Sequence, residues 1–334
     1  MYTVSKWSED ELRILFRNTA QKMGFNEAII EKDFWVCLTL DFLFNQCKWK
    51  DSFAFKGGTS LSKCYGLIHR FSEDIDLILD WRVLGFEENE PWLSRSKTKQ
   101  EQFNKEANKR AELFLQNHLL PNLQYGLSKM IGKPAKLYID ELDTQTINFE
   151  YPHFFGSNSI LQTIRLEIGA LAAWTPIKKT VVTSYAALNY PNIFENPHTH
   201  IRSTTAERTF WEKVTILHHE ANRPSHLNMP TRYSRHYYDL YCFACSNYKN
   251  SALNNIELLH KVVEFKMKFY PRTWAEYECA KPGSVKLYPP QYRLDALEKD
   301  YRAMREMIFE DIPDFETLML QVKELETKIN TIHL

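Results

Sequence analysis

The stretch Phe55–Asp80, FKGGTSLSKCYGLIHRFSEDIDLILD, constrains this chain more than any other. A short apolar approach, Phe53-Ala54-Phe55, runs into Lys56-Gly57-Gly58-Thr59-Ser60. A helix-compatible segment follows, and then a strand carrying Asp74 and Asp76. Side chains two apart on a strand share a face, so the two aspartates project together, with Ile75, Leu77 and Leu79 opposite. Two carboxylates held side by side repel each other unless a cation lies between them. Oxygen ligands of this kind suit Mg²⁺ or Mn²⁺, the former usually held by one or two carboxylates plus substrate phosphates. Upstream, Gly57 and Gly58 let backbone N–H groups approach a phosphate, and a helix N-terminus adds a favourable dipole. A lone Gly-Gly is an ordinary turn, and a lone Asp-x-Asp is commonly a solvated strand end. Here the aspartates open a strongly apolar strand, where unpaired charge is costly. The combination points to phosphate and metal chemistry.

The 334 residues can bury a sizeable core and hold one large or two modest domains. Forty-two basic residues balance 42 acidic ones, so any nucleic-acid partner must be held by local patches rather than a global field. The densest basic surface in the first half is Arg95 with Lys97, Lys99, Lys105, Lys109 and Arg110, interleaved with Glu101, Glu106 and Glu112. That pattern also describes a salt-bridged exposed helix. The six cysteines are scattered, and Cys242-x-x-Cys245 has no second pair to complete a zinc site. No signal peptide and no bilayer-length apolar run are visible, so a cytoplasmic, membrane-free protein is expected.

The glycine and aspartate motifs resemble those of the AbiEii/AbiGii-type nucleotidyltransferases, the toxin half of bacterial toxin–antitoxin and abortive-infection pairs. The resemblance lies in Phe55-Lys56-Gly57-Gly58-Thr59-Ser60-Leu61 followed by Arg70-Phe71-Ser72-Glu73-Asp74-Ile75-Asp76. It extends through Glu31-Lys32-Asp33-Phe34-Trp35-Val36, although that charged triplet reads as the solvated or capping face of a helix. It implies an α+β fold: a nucleotidyltransferase-like core with a short mixed sheet embedded in helices, followed by a helical C-terminal domain. The expected boundaries are 1–195 and 196–334. The implied reaction is metal-assisted nucleotide transfer from an NTP, with an RNA 3′ end such as tRNA as acceptor and a cognate antitoxin as partner. Transfer to a protein side chain and a catalytically silent partner-binding module remain as alternatives.

Periodicity places helices at 7–22, with Ser8 as N-cap, and at about 26–44 and 96–130, the last interrupted at Pro121. Strands are expected at 136–141, 146–151 and 161–170, and a short one at 180–184 within a connection running from Trp174 to Pro191. In Leu161–Ala170, Arg165, Glu167 and Gly169 share one face. Nucleotidyltransferase sites often draw a third carboxylate from a neighbouring strand, and Glu167 is the best placed to supply it. A structural partnership of Glu167 with Arg165 is the competing reading. From Thr204 the chain turns helical, with a loop-rich interruption at 281–292 and two final helices broken near Pro313.

On the helix Thr205–Glu220, Lys213 flanks the stripe Phe210, Val214, Leu217; it matches the lysine that in the family contacts nucleotide phosphates. Asp239, in Arg232-Tyr233-Ser234-Arg235-His236-Tyr237-Tyr238-Asp239-Leu240, matches the family's active-site aspartate. If buried, it needs a cationic partner, for which Lys213 and Arg235 are candidates. The expected site therefore combines Asp74 and Asp76 on the metal with Gly57, Gly58, Thr59, Ser60, Ser72 and Lys213 on the phosphates. Ser72 could instead accept a modification. Glu167 and Asp239 are alternative bases, and all these groups are expected in one cleft.

Overall fold

A computed structural model describes residues 3–156, 160–171, 176–309 and 312–333. The chain divides into two compact units, one of residues 1–64 with 72–204 and the other of 65–71 with 205–334.

The first unit opens with α1 (Glu9–Met23) and α2 (Glu27–Asp41), which continues into a π-helical turn, Phe42–Gln46. Ser8 caps α1 in a reciprocal box with Glu11, and Gly24 ends it at φ +70°. Then come β1 (Phe53–Lys56), α3 (Gly57–Tyr65) and β2 (Ile75–Leu79). They are followed by α4 (Lys97–Phe114), a π turn at Leu115–Leu119, and α5 (Leu120–Ile131). Pro121 falls in the first turn of α5, where its missing N–H is not needed, so the expected interruption takes the form of a π turn just ahead of it. The unit closes with β3 (Lys136–Ile139), β4 (Thr146–Glu150), β5 (Ile164–Gly169), β6 (Ile177–Thr183), α6 (Tyr185–Asn189) and β7 (His198–Thr204). Trp174, from which the connection to β6 was expected to start, lies outside the described residues.

The seven strands form one mixed sheet in the order β3-β4-β5-β2-β1-β7-β6. β2 runs antiparallel to β1 and parallel to β5, while β1 is parallel to β7. Central strands are apolar on both faces, with Phe53, Ala54, Phe55, Leu77, Ile78 and Leu79 all buried, as strands covered on two sides must be. β7, which begins beyond the boundary expected at 195, pairs with β1 and β6, so 198–204 complete this sheet.

The triplet Glu31-Lys32-Asp33 departs from expectation. All three side chains are buried, and the N-cap of α2 is Asn26. Consecutive helical residues point about 100° apart, and each of the three finds its own partner. Glu31 accepts the N–H groups of Phe154 and Phe155, at 2.8 and 3.3 Å. Lys32 pairs with Glu73 and Asp33 with Lys63, each at 2.6 Å. Composition within one turn could not reveal this, because the partners lie 30 to 124 residues away.

Beyond the segment 65–71, the second unit is helical: α7 (Ala206–Ala221), α8 (Ser234–Cys245), α9 (Tyr248–Leu253), α10 (Ile256–Phe269), α11 (Leu294–Met304) and α12 (Phe315–Asn330). Phe210, Trp211, Leu217, Leu240, Phe243, Leu259, Leu297 and Val322 form its core. The segment 65–71 is stitched in by backbone bonds, Phe71 N to Met307 O at 2.7 Å and Phe309 N to His69 O at 2.8 Å. The loop-rich stretch at 281–292 is tied down by Glu326, whose carboxylate accepts the N–H groups of Leu287 and Tyr288.

Candidate active site

β1 ends at Lys56, which stands opposite Asp76 in the antiparallel ladder. The chain then turns into α3 through Gly57 at φ +79°. A Cβ on Gly57 would overlap the Asp76 carboxylate. This glycine is therefore required twice, by its left-handed backbone and by the close approach of Asp76 to the start of α3. Gly57→Ala should cost about 1–3 kcal/mol of stability and displace Asp76. A thermal melt coupled to a divalent-metal titration checks this; a variant matching wild type in both would remove the steric role.

Gly58, Thr59 and Ser60 are buried in the first turns of α3. Thr59 Oγ1 lies 2.6 Å from the Asp74 carbonyl and 2.9 Å from Ser72 Oγ, and Ser60 Oγ donates to the Gly57 carbonyl at 2.9 Å. Both buried hydroxyls are thus engaged in fixing the Gly57–Ser60 turn and the Ser72–Asp74 run. Ser72 is half-buried.

β2 begins at Ile75, so Asp74 sits just ahead of the strand rather than in it. Asp76 lies beside Glu167 in the parallel register of β2 and β5. Burial, and then the negative charges of Glu167, Glu73 and Asp76, push the Asp74 carboxyl up to about 7. Glu167 is raised likewise, by burial first and by Asp76, with Arg165 opposing. Arg165 Nε is 3.4 Å from Glu167 and Arg165 Nη1 is 3.1 Å from Asp140, so Glu167 has a structural partner as well as an acidic neighbour. Half-buried carboxylates crowded by acidic neighbours in this way fit a divalent cation, which would relieve the repulsion. Among the described residues no three His, Cys, Asp or Glu side chains converge into a ready-made metal cage. A pair of aspartates completed by substrate phosphates is the usual Mg²⁺ arrangement.

The second unit holds its own charge cluster. Asp239 is fully buried and takes Arg70 in a two-point bond, at 2.7 and 3.0 Å. Lys213 Nζ lies 2.8 Å from the same carboxylate and 3.0 Å from His236 Nδ1. Burial alone would push Asp239 up, but the Arg70 and Lys213 charges override it and hold the carboxyl well below its usual range. Lys213 is shifted down, by burial first, with Asp239 only partly offsetting it. His236 is shifted well down by burial and by the charge of Lys213, so its neutral Nδ1 accepts from the ammonium. Of the partners expected for Asp239, Lys213 is present. The stronger one, Arg70, was visible only as a motif letter, though an arginine between Ile68 and Phe71, both buried, called for a counter-charge. His218 is structural: it bonds the Glu276 carbonyl through Nε2 and accepts the Lys286 N–H at Nδ1.

The sequence profile described as "Nucleotidyl transferase AbiEii toxin, Type IV TA system" matches residues 41–322. The chain belongs to the AbiEii nucleotidyl transferase toxin family. No curated relative matches it. Similar solved structures include the following two. MenT4, a nucleotidyltransferase toxin of Mycobacterium tuberculosis H37Rv, is 15% identical, with 96% of this chain and 90% of that one covered and a TM-score of 0.55. JHP933 from Helicobacter pylori is 14% identical over 91% and 94%, with a TM-score of 0.44. The likeness to MenT4 agrees with the α+β AbiEii-family fold, a mixed sheet set among helices. No helix among the described residues is long and apolar enough to cross a membrane.

Proposed function

We propose that this AbiEii-family chain is a metal-dependent nucleotidyltransferase that moves a nucleotide from an NTP to an RNA 3′ end such as that of tRNA. It would act in the cytoplasm and be held in check by a cognate antitoxin. The observation that carries the reading is geometric: Asp76 packs against the Gly57 turn into α3 and stands beside Glu167 in the ladder, with Asp74 two residues before it.

In this reading Asp74 and Asp76 hold Mg²⁺ or Mn²⁺. Such a cation, when bound, supplies charge neutralisation of the triphosphate and a lower pKa for the attacking hydroxyl. The N–H groups of Gly57 and Gly58, at the start of α3, bind phosphate oxygens. Thr59 and Ser60 keep that turn in shape, and Ser72 completes its polar rim. Glu167 serves as proton acceptor, because a carboxylate raised by burial and an acidic neighbour makes a better base than one held low. By the same argument Asp239 is an anchor for Arg70 and Lys213 rather than a base. Lys213 contributes a compact positive charge that favours departure of pyrophosphate.

The test is incubation of the full chain with each labelled NTP in turn, total RNA and Mg²⁺. Label at the 3′ end of a small RNA supports the proposal. Label on protein alone would replace the acceptor, and no label with any NTP would favour a silent binding module.

A further inference from the structure

Every carboxylate of the candidate active site, the Asp74–Asp76 metal pair and the proposed base Glu167, lies on, or just ahead of, one of two neighbouring strands. Asp74 and Asp76 belong to β2 and its lead-in, Glu167 to β5. Neither lead-in is itself strand: 71–74 and 160–163 have no ladder of their own. Other bonds fix where each begins: Thr59 Oγ1 holds the Asp74 carbonyl, and the Lys32 ammonium, fully buried on α2, reaches both lead-ins at once. It donates to Glu73 Oε2 at 2.6 Å, one residue before Asp74, and to the Leu161 carbonyl at 2.7 Å, three residues before β5. A buried ammonium is costly, and an apolar side chain would fill the same space. What the charge adds is a single point tying the two lead-ins together.

We infer that Lys32, through Glu73 and the Leu161 carbonyl, is a positioning residue that sets the spacing between the Asp74–Asp76 pair and Glu167. The inference rests on the metal-site reading given above. It assigns no contact between Lys32 and substrate. The rival account is that Lys32 is one more core clamp beside Glu31 and Asp33, with no bearing on the carboxylates.

The two accounts differ in Mn²⁺ affinity of the folded, nucleotide-free full chain, followed by electron paramagnetic resonance. The main variant is Lys32→Met with Glu73→Met, because replacing a buried ion pair by apolar side chains is often neutral or stabilising. Lys32→Met with Glu73→Gln is the second, should the first melt early. Both are charge-neutral at this position, so a loss reads position rather than charge. Mn²⁺ binding should weaken about tenfold or more, as for other outer-shell supports of a metal site. Transfer should lose at least as much in kcat while KM for the NTP stays within about threefold. Wild-type Mn²⁺ affinity and kcat in these folded variants would overturn the inference. So would a loss confined to Glu73→Gln alone, which leaves the Lys32 charge unmatched and therefore reports charge. Asp76→Asn serves as the reference. If it loses Mn²⁺ and the double variants do not, only the Lys32 inference falls; if it also binds like wild type, the metal-site reading falls and takes the inference with it.

Discussion

Asp76→Asn should abolish nucleotide transfer, by on the order of a thousandfold or more, while the protein stays folded. In the proposed site Asp76 holds the metal, so its loss would remove several kcal/mol of charge stabilisation, and each 1.36 kcal/mol is about tenfold in rate. Asp74→Asn should do the same, with a second signature in stability. The Asp74 carboxyl is raised to about 7 in the folded protein, by burial and by its acidic neighbours, against roughly 3.9 when unfolded. Between those values the folded state binds the extra proton, so wild-type stability falls as pH rises through the window and levels off above it. Asn carries no such charge. The metal-free Asp74→Asn protein should therefore gain on wild type as pH rises from about 4 to 7, by about 2–4 kcal/mol at the upper end. Urea melts at pH 4, 5.5 and 7.5 measure this. Added Mn²⁺ should narrow the gap by stabilising only the wild type. Equal stability at all three pH values, with activity intact, would remove Asp74 from the metal site.

Much of this arrangement is legible in the sequence alone, because its signals are local. Alternation of Arg165, Glu167 and Gly169 with Ile164, Leu166 and Ile168 fixed the faces of β5, and burial follows that alternation residue by residue. The Gly57-Gly58 turn and the apolar run after Asp76 are signals of the same short range. What stayed hidden depends on pairing across long separations. Lys32 and Glu73 are 41 residues apart, and Arg70 and Asp239 are 169 apart. On a helical wheel, a charged triplet such as Glu31-Lys32-Asp33 looks solvated whether or not partners exist elsewhere. Only the α2 environment, with Phe34 and Leu38 buried around it, turns those charges inward. The same holds for Asp239: its aromatic surroundings demanded compensation, but two cations on one carboxylate are a property of the folded unit. That count is what separates an anchor from a base.

Asp239→Asn tests this directly. The substitution keeps the shape of the side chain and removes its charge, leaving the buried Arg70 and Lys213 with no counter-ion between them. Breaking a buried ion cluster in this way costs about 3–5 kcal/mol. Because Asp239 is held well below the usual carboxylate range, its contribution is fully present above the unfolded value and is lost as pH falls toward the folded one. The stability gap between wild type and variant should therefore be constant from about pH 5 to 7 and narrow below about pH 4. Lys213→Ala makes the contrast. It leaves a neutral Arg70–Asp239 pair, so it should destabilise less than Asp239→Asn. Transfer should nonetheless fall by about 2–4 kcal/mol in activation free energy if its charge acts on phosphate. Activity of folded Asp239→Asn should fall too, because Arg70 opens the run Arg70-Phe71-Ser72-Glu73-Asp74 and loses its anchor. Equilibrium urea melts and transfer assays run below the variant's melting temperature separate the roles. An Asp239→Asn protein as stable as wild type yet inactive would mark Asp239 as a base after all. A destabilised one with residual transfer is the anchor's signature, since a missing anchor loosens the site where a missing base would silence it.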